Sequence, residues 1–125
     1  MPACDSTGFA PPAPVASVTL RNPETGASTA DVLLLIDSGA DVTLLPAAVV
    51  EALGISVRAN TGYELKGFDG SHSVSMAVRA DLIWLRKTFK GDFLLINQEV
   101  GFLGRDILNH VSLILDGPHL NWEVR

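Results

Sequence analysis

The sequence predicts a single, mostly β domain with one or two short helices. Three observations carry this. The chain is 125 residues long, which fits one small domain. Its apolar residues fall in short runs or in strict alternation, the period of strands. Only one stretch of the first half is bracketed as a helix. Hydrophobic residues make up 47% and charged residues 18%, enough for a packed core and far from a disordered composition.

The elements follow in order. Residues 1–14 hold Pro2, Pro11, Pro12 and Pro14 among small residues and read as a flexible lead-in to a domain spanning 15–125. Val15 to Leu20 is extended. Asn22-Pro23-Glu24-Thr25-Gly26 is a turn, with Pro setting φ and Gly supplying a positive φ. The next strand runs into Val32-Leu33-Leu34-Leu35-Ile36, whose unbroken apolar character predicts burial on both faces. It stops at Asp37-Ser38-Gly39-Ala40-Asp41. Pro46 at a first helical position and Gly54 just past the end bracket a short helix.

Tyr63 to Trp84 reads as a long hairpin with its tip at Lys66 to Ser71, and its outgoing arm alternates from Ser73 to Arg79. A further extended pair is expected to break at Lys90-Gly91-Asp92, before the buried run Phe93 to Ile96. Gly101 to Asp106 leads to a short helical piece over Asp106 to His110. Val111 to Leu115, Asp116-Gly117-Pro118, and then Leu120, Trp122 and Val124 form a closing hairpin, with Trp122 expected on an exposed edge open to another chain.

Composition also excludes functions. Nine basic residues against fourteen acidic ones give a net charge of −5, which argues against a nucleic-acid partner. One cysteine, Cys4, allows no internal disulfide and no cysteine-built metal site. No spacing among His72, His110 and His119 matches a zinc motif, and no Gly-x-Ser-x-Gly elbow is present. No apolar run reaches the roughly 18 residues of a membrane span. The first residues carry neither a basic n-region nor an apolar h-region, so a soluble, cytoplasmic chain is expected, although a longer anchored parent would contain the same segment.

The chemistry centres on Asp37, a carboxylate at the end of an apolar strand, in a turn opened by Gly39. Taken alone, that is an aspartate bonding its own backbone. Leu35-Ile36-Asp37-Ser38-Gly39-Ala40-Asp41 resembles the active-site loop of the retropepsin-like aspartic proteases, and Phe102-Leu103-Gly104-Arg105-Asp106 resembles their second signature. The order of elements from about Val15 to Val124 is similar to theirs as well. The resemblance implies a closed β-barrel and an Asp37 dyad formed by two copies of the chain. It implies Ser38, Gly39 and Ala40 as the loop around the dyad, and an ion pair of Asp41 with Arg105 in which the guanidinium grips the carboxylate with both arms. It further implies a flap at Gly67, Phe68, Asp69 and Gly70, with Leu35, Phe68 and Phe102 as pocket walls.

The implied partners are a second copy of the chain and an extended peptide or protein substrate, with no cofactor, metal, nucleic acid or membrane. A single Asp-Ser-Gly per chain supplies half of a carboxyl pair, and acid–base hydrolysis needs two groups in different protonation states. Two other readings stand beside an aspartic endopeptidase. One is a catalytically inactive dimerisation or peptide-binding module on the same fold, since folds outlive their chemistry. The other is a small β-barrel unrelated to proteases.

Overall fold

The computed structural model describes residues 4–5, 8–66 and 72–125. The elements are β1 (Cys4–Asp5), β2 (Ala13–Arg21), β3 (Ser28–Ile36), β4 (Leu44–Pro46), α1 (Ala47–Ala52), β5 (Val57–Lys66), β6 (His72–Trp84), β7 (Lys87–Ile96), β8 (Gly101–Leu103), α2 (Arg105–Leu108), β9 (Leu113–Asp116) and β10 (Asn121–Val124). Pairing runs β2–β3–β8–β4–β7–β6 and returns to β2 through Thr19 to Arg21 against Asp81 to Ile83, so six strands close a barrel. Strands β1 and β5 extend the sheet outside this ring, and β9 and β10 form a separate antiparallel pair.

Closure rests on an irregularity in β2. Val15 to Val18 pair with β3, and the register shifts between Val18 and Leu20. Such a shift bends and twists a strand, and here it lets the second half of β2 reach β6. The barrel core holds Val18, Leu20, Val32, Leu34, Leu82 and Leu103, all nearly or fully buried. The continuous apolar run of β3 does not mean burial on both faces, as expected from sequence. Val32 and Leu34 point inward while Leu33 is 39% exposed, because a barrel strand has one inner and one outer face.

The turn at Asn22 forms as read. Gly26 has φ +79°, and its N–H donates to the Asn22 carbonyl. The buried Asn22 side chain accepts the Glu24 N–H and donates to the Leu53 carbonyl, tying this turn to the end of α1. Helix α1 starts one residue later than expected, with Pro46 extended at the cap (φ −60°, ψ 121°), and Gly54 closes it with φ +69°.

Three further expectations are corrected. Strand β7 passes unbroken through Lys90-Gly91-Asp92, because those residues pair in register with Asp81, Ala80 and Arg79 of β6. The chain reverses instead at Leu85 and Arg86, both at positive φ (54° and 62°). Within the stretch read as a free lead-in, β2 already begins at Ala13, and Cys4 and Asp5 pair with Pro14 and Ala13. Trp122 is not an exposed edge but 1% exposed. Its ring lies 5.7 Å from that of Trp84, and its indole N–H donates to the Val15 carbonyl at 3.0 Å. The closing hairpin is thus pinned to the barrel by its tryptophan.

Candidate active site

Strand β3 delivers Asp37 to the end of the barrel. Leu34, Leu35 and Ile36 run parallel to Gly101, Phe102 and Leu103 of β8, and the Asp37 N–H continues the ladder to the Leu103 carbonyl at 3.1 Å. The backbone then turns: the Ala40 N–H donates to the Asp37 carbonyl, and the Gly39 N–H donates to Asp37 Oδ1 at 2.9 Å. A Cβ on Gly39 would sit 3.1 Å from that oxygen, so a side chain there would crowd the carboxylate. Asp37 is half-buried, Ser38 and Gly39 are exposed, and Asp37 Oδ2 has no protein partner among the described residues. The self-bonding turn and the presented carboxylate are therefore the same structure.

Arg105 meets Asp41, with a change from the expected geometry. Its fork does not grip one carboxylate with both arms. Nη1 donates to the Ser38 carbonyl at 2.8 Å, and Nη2 donates to Asp41 Oδ1. The guanidinium is 44% exposed and the Asp41 carboxylate 82% exposed, so this is a surface clamp across the loop and not a buried ion pair. The Arg105 N–H adds a bond to the Ala40 carbonyl at 2.8 Å.

A second lock was not anticipated. Thr43 is fully buried, and its hydroxyl donates to Asp106 Oδ1 at 2.7 Å while accepting the Gly104 N–H at 3.0 Å. The Thr43 N–H donates to Asp106 Oδ2, and the Ile107 N–H donates to Asp106 Oδ1. The Leu94 N–H bonds the Thr43 carbonyl, so the network reaches β7. The available signal was a lone hydroxyl inside Val42-Thr43-Leu44-Leu45 and the acid that ends Gly-Arg-Asp. Gly104 makes the crossing possible: a Cβ there would stand 2.7 Å from the Val42 carbonyl carbon and 3.0 Å from the Ala40 oxygen, both backbone.

Leu35 and Phe102 pair directly across β3 and β8, and both are partly exposed beside the loop. The flap residues Gly67, Phe68, Asp69 and Gly70 lie outside the described residues. The hairpin arms that lead to them are present, with Lys66 opposite His72.

A solved structure, EIAV protease complexed with the inhibitor HBY-793, superposes with a TM-score of 0.61 and 23% identity, covering 78% of this chain and 86% of that one. The fold is retropepsin-like. No protein-family model matches the sequence, and no curated protein matches it. Within that fold, the barrel end that carries Asp37 is held from two sides, by Arg105 outside and by Thr43–Asp106 inside. Among the described residues, no helix is long and apolar enough to cross a membrane.

Proposed function

We propose that the chain is an aspartic endopeptidase whose site is completed by a second copy of itself. One observation carries this: Asp37 stands at the barrel end with one carboxylate oxygen fixed by the Gly39 N–H, the other without a protein partner, and its loop clamped on both sides. Such a carboxylate is oriented without being used up.

Two copies related by a two-fold axis through this loop set Asp37 beside its counterpart. Two carboxylates about 3 Å apart do not both ionise readily, so the pair shares one proton, the arrangement known from aspartic proteases. The ionised member takes a proton from water, and the oxygen of that water attacks the peptide carbonyl carbon. The protonated member donates to the carbonyl oxygen. As the C–N bond of the tetrahedral intermediate breaks, the protonated member gives its proton to the leaving amine and the ionised member takes one from a diol hydroxyl, which forms the acid product and restores the single shared proton. Activity depends on one proton being held by the pair, so it is lost when both carboxyls are protonated and again when both are ionised. The substrate is an extended peptide added as a strand over Leu35 and Phe102.

The test is cleavage of an unstructured peptide library across a pH series, read by mass spectrometry. The wild type should cut, and Asp37→Asn should lose about 10²–10⁴-fold of the rate. Equal patterns from two folded dimers would sink the reading and favour a peptide-binding module.

A further inference from the structure

One peptide group in the site is bonded at both ends. The Leu103 carbonyl accepts the Asp37 N–H at 3.1 Å. The N–H of the same peptide unit, carried by Gly104, donates to Thr43 Oγ1 at 3.0 Å. The Thr43 hydroxyl in turn donates to Asp106 Oδ1 at 2.7 Å. Three hydrogen bonds therefore run head to tail from the backbone of Asp37 to the carboxylate of Asp106. Leu103 and Thr43 are both fully buried, so the middle of this path is shielded from water.

The direction of the chain is fixed by chemistry. A carboxylate only accepts, so the Thr43 hydroxyl turns its hydrogen toward Asp106 and a lone pair toward the Gly104 N–H. Asp106 is itself held in place. Its Oδ1 also accepts the Ile107 N–H at 3.0 Å, and its Oδ2 accepts the Thr43 N–H at 3.1 Å. In such a chain each bond polarises the next and strengthens it by about 10–30%. The anionic end sets the sign: the Gly104 N–H is drawn toward Thr43, and the Leu103 oxygen becomes a better acceptor for the Asp37 N–H.

The place of that last bond gives the chain its use. The register of β3 with β8 ends at Ile36 and Leu103, so the Asp37 N–H makes the final rung of the ladder. Final rungs are the ones that fray. Opening this one would free the backbone of Asp37 to rotate and would swing its carboxylate. The outer clamp does not act there, because Arg105 holds the Ser38 and Ala40 carbonyls and the Asp41 carboxylate, all beyond Asp37 in the loop. We propose that Asp106 is a positioning residue for Asp37, acting through Thr43 and the Leu103–Gly104 peptide. Its effect on rate rests on the protease reading, and its effect on the Asp37 backbone does not.

The experiment compares Thr43→Val, Thr43→Ser, Asp106→Asn and Arg21→Met with the wild type. Thr43→Val removes the middle link, and Thr43→Ser keeps it. Asp106→Asn leaves either the hydroxyl or the N–H of Thr43 without an acceptor, whichever way the amide turns. Arg21→Met is the control, a destabilised chain altered at the β2–β6 seam and off the path. Two readouts are taken at a temperature where every chain is folded: the NMR shift of the Asp37 amide proton, and the kinetics of peptide cleavage. In Thr43→Val and Asp106→Asn the Asp37 amide proton should move upfield. In the same two variants kcat should fall about tenfold or more, with KM held within about twofold. Thr43→Ser should restore both, and Arg21→Met should change neither. An unmoved Asp37 amide in either folded variant would overturn the proposal. So would an unchanged kcat beside a moved amide, or an equal fall of kcat in Arg21→Met, since either makes the lock structural only. Should Thr43→Val fail to fold, Asp106→Asn carries both readouts. A wild type that cuts nothing sinks the protease reading, and the amide shifts then decide by themselves whether Asp106 positions Asp37.

Discussion

At Thr43 a single hydroxyl both donates to Asp106 and accepts from the Gly104 N–H, in full burial. Thr43→Val removes that hydroxyl at nearly constant shape and leaves a buried N–H and a carboxylate oxygen short of a partner. The expected cost is about 2 kcal/mol, read from urea unfolding, with Thr43→Ser recovering most of it. Gly104→Ala should be at least as damaging, about 3 kcal/mol, because the added methyl meets backbone that has no rotamer to yield. Arg105→Lys should cost under about 1 kcal/mol, since its partners are exposed, yet lower cleavage more than stability because one arm of the split clamp on Ser38 and Asp41 is lost. These residues differ in how visible they are in sequence. Asp37 to Asp41 and Gly104 to Asp106 are contiguous strings with turn and charge chemistry that a reader can find. The Thr43–Asp106 bond joins positions 63 apart, and no local period encodes it. The same distance hides how Arg105 divides its fork between a carbonyl and a carboxylate.

At the scale of elements, the barrel closes where β2 meets β6, and a charge cluster sits at that seam. Asp81 is 3% exposed and accepts two bonds from Arg21, at 3.0 and 3.1 Å, while Lys90 of β7 stands 3.5 Å away. Arg21→Met leaves a buried carboxylate with only the long Lys90 contact, and should cost about 2–3 kcal/mol. Lys90→Met removes the weaker and more exposed partner and should cost less than about 1 kcal/mol. Chemical denaturation of the two variants side by side checks the asymmetry. This cluster also explains why Lys90-Gly91-Asp92 misleads as a breaker. Its two charges are cross-strand partners of β6 residues, and the glycine faces Ala80, so ladder pairing overrides turn chemistry. Trp122 misleads for a related reason. The alternation in Leu120 to Val124 shows that one face is apolar without saying what that face meets, and the barrel supplies Trp84 and the Val15 carbonyl. Where an element's partner is its chain neighbour, as in the Asn22 turn or α1, sequence suffices.

The whole molecule presents an unfinished surface. Leu115, Leu120 and Val124 of the closing hairpin are 61%, 45% and 51% exposed, on a two-stranded sheet that pairs with no other strand among the described residues. Apolar side chains clustered on a short hairpin favour burial against a partner, and the proposed mechanism requires that partner to be a second copy. Both ideas meet in one kinetic consequence. If each protomer holds half a carboxyl pair, the rate at protomer concentrations below the dimer dissociation constant rises with the square of that concentration, and it becomes linear above it. A Leu115→Asp substitution places a charge on the exposed patch, at a side chain that is itself 61% exposed. It should leave the melting temperature of the protomer nearly unchanged while moving the quadratic range to higher concentration. Sedimentation velocity should show the same displacement of the monomer–dimer midpoint. A rate linear in protomer concentration down to the detection limit, from a chain that sediments as a monomer, would mean that one Asp37 suffices and that the paired-carboxylate mechanism is wrong.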